Sequence, residues 1–217
     1  MSKHLQRDLD YLKKELLGIA SMVEQAANKA LRAVMDRRTD LAEVVVKDDE
    51  NIDKREVHIE EYCLKVLALH QPVAADLRFI ITVLKVNNDL ERMGDLAVNI
   101  AERALYLSAH PQLEVSLDFT QMAEDVRTMV RSSLDALTNQ NTKLARDVLA
   151  MDDKIDAANR KMFALMEEQM RADPENISRA GCLLSVSRHL ERIADLATNI
   201  AEDVVYMVEG EMIRHRT

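Results

Sequence analysis

Leu90-Glu91-Arg92-Met93-Gly94-Asp95-Leu96-Ala97-Val98-Asn99-Ile100-Ala101-Glu102 is answered one hundred residues later by Leu190-Glu191-Arg192-Ile193-Ala194-Asp195-Leu196-Ala197-Thr198-Asn199-Ile200-Ala201-Glu202. Between residues 90–107 and 190–207, 11 of 18 positions are identical. A period this long marks a duplicated structural unit rather than a short array repeat. Carboxylates and an amide recur together with the apolar residues, whereas core packing alone requires only the apolar ones to return. Upstream the match continues at an offset of 103: Leu31, Ala33, Thr39, Leu41, Ala42, Val45, Asp49, Ile52 and Asp53 meet identical residues ending at Asp152, Ile155 and Asp156. Three residues are therefore missing from the second copy between the two blocks, close to one helical turn.

The chain is thus two copies of one unit, divided into residues 1–110 and 111–217. Only four Gly, three Pro and no Trp occur among 217 residues, while Ala, Leu, Glu, Lys, Arg and Met abound. That is the composition of long helices with few breakers. The sparse punctuation predicts helices over about 5–35, 39–69, 72–109, 117–137, 142–171 and 174–208. Thr39 or Asp40 would cap the second and Pro72 would open the third, where its missing N–H does no harm. Gly210 would end the sixth. The expected fold is all-α: two tandem three-helix bundles related by the internal duplication as a pseudo-twofold pair.

The 47% hydrophobic fraction suffices for a substantial core, and the twelve Met are read as gap-fillers in helix packing. A net charge of −9 disfavours nucleic acid and anionic lipid as partners of the whole protein. No run of about 18 apolar residues is present, and the first residues lack the apolar core of a signal peptide. Cys63 and Cys182 stand alone without metal-type spacing. A reducing, cytoplasmic setting is the simplest expectation.

Glu91, Asp95, Asn99 and Glu102 stand at i, i+4, i+8 and i+11, one stripe of a helix opposite the apolar side formed by Met93, Leu96, Ala97 and Ile100. Glu191, Asp195, Asn199 and Glu202 repeat it. The preceding helices carry Asp49 with Asp53 and Asp152 with Asp156. Asp49, Asp53, Glu56 and Glu60 share one face, which in the second copy continues as Asn159 and Phe163. A single acidic i,i+4 pair is unremarkable in a chain with 38 Asp and Glu, and such neighbours repel by a few tenths of a kcal/mol. Both copies accept that cost at matching positions. The stripes are therefore read as metal-binding surfaces rather than merely solvated faces. Their oxygen donors suit Mg²⁺, Mn²⁺ or Ca²⁺, or iron bridged between carboxylates.

The competing reading is a bundle that stores or oxidises carboxylate-bridged iron. It calls for Glu-x-x-His, yet the residues three before His58, His70, His110, His189 and His215 are Arg55, Leu67, Leu107, Val186 and Met212. His189 replaces Asp89 of the first copy and is read as an exposed polar residue beside the stripe rather than as a further ligand. Arg214-His215-Arg216 is read as a solvated end. Nucleophile–base pairs, Gly-rich phosphate loops and zinc-protease motifs are missing from the sequence, so no enzymatic activity is expected.

Gln71-Pro72-Val73-Ala74-Ala75-Asp76-Leu77-Arg78, followed by Asn88-Asp89-Leu90-Glu91-Arg92-Met93-Gly94-Asp95 and Asn99-Ile100-Ala101-Glu102, resembles the PhoU family of phosphate-transport accessory and regulatory proteins. The resemblance covers essentially the whole chain, including the second copy. It implies surface metal ions or clusters (Mg, Mn, Fe or Zn) held at Glu91, Asp95, Glu191 and Asp195, with Asp49, Asp53, Asp152 and Asp156 on the paired helices. Asn99, Glu102, Asn199 and Glu202 would extend those stripes. It also implies a cytoplasmic negative regulator of phosphate uptake and starvation signalling. That regulator would link the ATPase subunit of a phosphate ABC transporter to a sensor histidine kinase, would form a homodimer and would meet the membrane only through its partners. The second copy departs from the pattern: Ser178 stands at the place of Arg78, Glu175 at that of Ala75 and Asp203 at that of Arg103. The two faces should therefore differ in charge. Arg78 is expected to contact a partner or to form an internal salt bridge.

Overall fold

In the computed structural model, residues 3–113 and 119–210 are described. They form helices α1 (Lys3–Met35), α2 (Thr39–His70), α3 (Ala74–Ser108), α4 (Phe119–Asn139), α5 (Thr142–Leu149), α6 (Asp152–Ala172) and α7 (Ile177–Glu209), with a 3₁₀ turn at Pro174–Asn176 before α7. Residues 117–118 and the Arg214-His215-Arg216 tail lie outside the described residues.

The pattern of buried residues decides the position of each helix. In α1, Leu5, Leu9, Leu12, Leu16, Ile19 and Val23 recur every three to four residues, and all are at most 7% exposed. That is the apolar stripe of a helix covering one side of a core. α2 buries a narrower line, Ala42, Val45, Ile52, Ile59, Cys63 and Val66, and so sits at an edge. α3 and α7 are buried most widely and form the centre. α3 packs against α1, α2 and α7, and α7 packs against α3 through α6. Met93, Met129 and Met166 are fully enclosed, so methionine fills core space as expected.

The two repeated helices meet each other. Arg78 Nε donates to the Met207 carbonyl (3.2 Å), Lys85 pairs with Asp203 (3.0 Å), and the Cys182 thiol lies against the Arg103 carbonyl (3.7 Å). Advancing along α3 means receding along α7, so the two run antiparallel. Exchanging each residue for its copy one hundred positions away turns the Lys85–Asp203 meeting into Ser185 against Arg103, next to the Cys182 contact seen. This is the geometry of a pseudo-twofold axis through the α3–α7 seam, uniting two tandem bundles.

The turns repeat more faithfully than their sequences. Arg37 and Gln140, 103 positions apart, are both left-handed (φ 54° and 52°). The following amides bond back five residues, Arg38 N to Ala33 O (3.1 Å) and Asn141 N to Ala136 O (2.9 Å). Both are Schellman closures, built here without glycine.

Several boundaries differ from the sequence reading. The predicted fifth helix is two helices, because Met151 N bonds to Val148 O (3.0 Å) and Lys154 N to Met151 O (3.1 Å), each only three residues back. Met151 packs against the core, whereas its counterpart Asp48 is exposed and paired with Lys29. Drawing an apolar side chain inward tightens the turn there. Pro72 does not open α3: it is buried between helices, after Gln71 ends α2 in a left-handed conformation. Neither Thr39 nor Asp40 is the cap, since Arg38 occupies that place and makes no side-chain capping bond. Pro174 begins the 3₁₀ turn, with Asp173 Oδ1 accepting from Glu175 N (3.0 Å). Gly210 ends α7 as expected, at φ 77° with its amide on the Tyr206 carbonyl. Arg78 contacts a carbonyl at the end of α7 rather than forming a salt bridge.

Candidate metal centre

The carboxylate stripe of α3 does not face open solvent alone; it lies along the seam with α2. Asp49 and Glu91 are half-buried, while Asp53 and Asp95 are exposed. Gly94 explains the close approach. A Cβ placed on it would lie 3.3 and 3.4 Å from Ile52 and 3.7 Å from Asp49 Oδ1. The bare backbone thus lets Ile52 and Asp49 lie directly on α3, between Glu91 and Asp95 in sequence.

Electrostatics ties the group together. Burial, then Asp53 and Asp95, push the Asp49 carboxyl above its ordinary range. Glu91 is raised by burial and then by Asp95, Asp53, Glu56 and Asp49. Glu56 is raised by burial, Glu60 and Asp53. These five carboxylates therefore sit within one another's field. Among the described residues, Asp49, Asp53, Glu56, Glu91 and Asp95 form no ion pair with Lys, Arg or His. Partly desolvated like charges without a counter-cation are what an oxygen-liganded cation would relieve. The donor set fits a hard divalent or ferric ion. Even so, no three His, Cys, Asp or Glu side chains among the described residues are already gathered around one point. The side chains would have to close onto an ion.

Glu56 belongs to this group, though the repeat of acidic residues singled out only Asp49 and Asp53 on α2. Its signal was the face shared by residues 49, 53, 56 and 60. Asn99 and Glu102 are not drawn into the cluster. Asn99 Nδ2 donates to its own helix at Asp95 O (2.8 Å), and neither Asn99 nor Glu102 is among the groups that raise Asp49, Glu56 or Glu91.

The second face keeps the plan with different neighbours. Asp152 is raised by burial and then by Asp195, Asp156 and Asp153; Asp195 is raised by burial, Glu191 and Asp156, with Arg192 opposing. Asp152, Asp156, Glu191 and Asp195 thus meet across the α6–α7 seam. Asp156 is paired with Arg160 (3.4 Å), and Asn159 at the place of Glu56 accepts from Ser187 Oγ (2.8 Å). Asn199 and Glu202 again lie further along the helix, both half-buried. His189 is not an exposed residue beside the stripe: it is half-buried, with Nε2 and Ser185 Oγ 3.1 Å apart. The thiols play no part. Both cysteines are free and buried, and burial pushes Cys63 up to about 12.

A family model described as the PhoU domain matches this chain twice, over residues 16–104 and 119–204. A phosphate-specific transport system accessory protein PhoU homolog of Aquifex aeolicus is 41% identical over 212 residues, covering 98% of this chain and 96% of its own. One from Pseudomonas putida is 36% identical, covering 99% and 84%. Among solved structures, PhoU from Pseudomonas aeruginosa superposes with a TM-score of 0.92 at 35% identity, over 95% of this chain and 99% of the other. The phosphate transport system regulatory protein PhoU from Streptococcus pneumoniae gives 0.87 at 30% identity, over 96% and 99%.

Proposed function

The chain belongs to the PhoU family, and from that premise we propose that it is an accessory protein of phosphate-specific transport that restrains phosphate uptake and starvation signalling. In this reading it is a cytoplasmic adaptor rather than an enzyme. It docks on the ATPase subunit of a phosphate ABC transporter and on a sensor histidine kinase, and it pairs with a second copy of itself. No described helix is long and apolar enough to cross a membrane, which is compatible with contact to the membrane through partners. Long helices offer broad surfaces for helix-on-helix docking.

The observation that carries the metal-binding part is the uncompensated group Asp49, Asp53, Glu56, Glu91 and Asp95 on the α2–α3 seam. Divalent or ferric ions (Mg, Mn, Fe or Zn) bound there, and at Asp152, Asp156, Glu191 and Asp195, would cancel repulsion and stiffen each seam. Metal would thereby set the charge and rigidity of the surfaces presented to partners. Asn99, Glu102, Asn199 and Glu202 would serve only as outlying oxygen donors.

The test is repression of alkaline phosphatase in phosphate-rich medium, in the source organism with this gene deleted. Constitutive activity that the intact gene represses again is the expected result; normal repression after deletion refutes the regulatory role. A Glu91→Ala/Asp95→Ala gene should repress poorly although its product accumulates. Full repression by that variant would separate regulation from the acidic seam.

A further inference from the structure

The duplication pairs Arg55, His58 and Tyr62 of α2 with Ala158, Lys161 and Leu165 of α6. In the first half all three side chains reach across to the early turns of α1. Arg55 Nη2 meets Glu15 Oε2 at 2.9 Å, and its guanidinium lies over Gly18, in the space that a side chain there would need. His58 Nε2 lies 3.0 Å from the Tyr11 hydroxyl, and the Tyr62 hydroxyl donates to Asp8 Oδ1 (3.1 Å). In the second half the described part of the corresponding helix, α4, begins at Phe119, which stands at the place of Leu16. Asp8, Tyr11 and Glu15 all fall before that point.

The matching face of α6 lines a groove. It encloses about 160 Å³ between α4 and α6, floored by Met122, Ala158, Met162 and Leu165, with exposed Lys154 and Lys161 at its edges. Ala158 stands at the place of Arg55, and Gln121 on the other wall at that of Gly18. The side chain that closes the first half is thus replaced by a methyl group. A cavity of this size accepts a group about as large as benzene, and methionine adapts to what enters. The edge is cationic. Lys154 Nζ lies 2.8 Å from both oxygens of Asp125, which also accepts from Gln121 Nε2 (3.1 Å). Lys161 has no ion pair among the described residues. Its ammonium is the uncompensated charge of the groove, in a chain of net charge −9.

We propose that this groove docks a helical segment of a partner protein, which seats one apolar side chain on Met122, Ala158, Met162 and Leu165 and sets a carboxylate against Lys161. The first half shows the form that such an occupant takes. There α1 covers the matching face as a helix, burying Leu5, Leu9, Leu12 and Leu16 while Asp8 and Glu15 meet His70 and Arg55 of α2. A helix laid in a groove around one enclosed anchor is a recurring mode of recognition. Ala158, Lys161 and Leu165 belong to one half only, so this partner meets the second half and leaves the first to another. The proposal rests on the adaptor reading for there being a partner. Its test reads binding rather than repression, so the two can fail separately.

The experiment follows the carbon-13 methionine methyl NMR signals of the full chain at physiological ionic strength, where charges beyond about 8 Å are screened. Excess chelator is present so that no cation can bridge a probe to the acidic seams. Met122 and Met162 are assigned by the loss of their signals in Met122→Leu and Met162→Leu. The probe is a synthetic amphipathic helix with Leu along one face and Glu beside it; a second peptide has Lys in place of Glu. The Glu peptide should shift Met122 and Met162 saturably and leave Met22 of the first half unmoved. The Lys peptide should bind at least about tenfold more weakly. Ala158→Arg, which supplies the side chain of the first half, should weaken the Glu peptide at least about tenfold. Lys161→Glu, an exposed change, should turn the preference toward the Lys peptide, and it carries the test if Ala158→Arg fails to fold. Equal shifts from both peptides, or unchanged affinity in these variants, would overturn the proposal. Shifts seen only in Val115→Ser/Leu117→Ser would overturn it by giving the groove to this chain's own residues 114–118. Signals at Met122 and Met162 that move with protein concentration alone would overturn it in favour of a second copy.

Discussion

The two acidic seams share a backbone plan and differ in how their charge is compensated. On the first, Asp49, Asp53, Glu56, Glu91 and Asp95 repel one another with no cationic partner among the described residues. On the second, Asn159 replaces Glu56 and is held by Ser187, Arg160 pairs with Asp156, and Arg192 opposes the rise at Asp195. The break between α5 and α6 adds another difference. It places Asp152 at a helix start, where the positive end of the backbone dipole favours a carboxylate, whereas Asp49 lies inside the continuous α2. Duplication fixed where the carboxylates stand. Later substitution decided how much unrelieved charge each seam carries, and the first seam carries more.

The largest effect should come from metal. A divalent ion at a hundred times its dissociation constant stabilises the native state by about 2.7 kcal/mol. For a chain of this length that corresponds to roughly 2–4 °C in Tm per kcal/mol. Thermal unfolding of the chelated protein with added Mn²⁺ should show this rise. Glu91→Ala/Asp95→Ala should remove more of it than Glu191→Ala/Asp195→Ala. Equal losses would mean that the seams are equivalent as sites.

A smaller effect should follow from exchanging the residues beneath the acidic groups. Ala194 is fully buried where the first half has Gly94. Ala194→Gly should destabilise by about 1 kcal/mol, from the freedom that glycine regains in the unfolded chain. Gly94→Ala gains the same helix preference but must push against Ile52 at 3.3 Å, so its net change in denaturant unfolding should be smaller. It should also weaken metal binding at the first seam, because pushing Ile52 away shifts the stretch of α2 that carries Asp49. A Gly94→Ala protein with unaltered metal affinity would show that close approach is irrelevant to the site.

The smallest effect concerns pH. Asp49, Glu56, Glu91, Asp152 and Asp195 are all raised, by burial first, so the folded chain holds their protons more tightly than the unfolded chain does. Their contribution is complete below the ordinary carboxyl range and is lost as pH rises through the raised values. With metal removed, stability should therefore fall as pH rises above the ordinary carboxyl range. Glu91→Gln should flatten that fall more than Glu191→Gln. Asp8 acts in the opposite direction, lowered by its bond to His70, and contributes above its ordinary value until acid removes it. Denaturant unfolding in chelator, followed from the ordinary carboxyl range up to neutral pH, measures the slope, and a rise in stability with pH would contradict the assignment.

The helices, the duplication and the acidic positions were legible in the residues. A 3.6-residue apolar period can be read from Leu5 to Val23 without knowing what it packs against. A repeat of Glu91 and Asp95 at Glu191 and Asp195 is visible to simple alignment. The break at Ala150–Met151 was not legible, because nothing local forbids a continuous helix there. It follows from Met151 reaching a core formed by other helices. Glu56 lay on the acidic face but its repeat partner is Asn159, so a search for recurring carboxylates passed over it.

By itself the sequence determined an all-α chain of two related halves with carboxylate stripes on matching helices, since periodicity and repetition are properties of the chain alone. Only the tertiary structure decided that α3 and α7 cross antiparallel at a pseudo-twofold axis. Only it set Asp49 over Gly94 and brought the Arg103 carbonyl against the Cys182 thiol, while leaving Asn99 and Glu102 outside the cluster. Those outcomes depend on which side chains from distant segments are pressed together and stripped of water, and spacing along one helix carries no record of that.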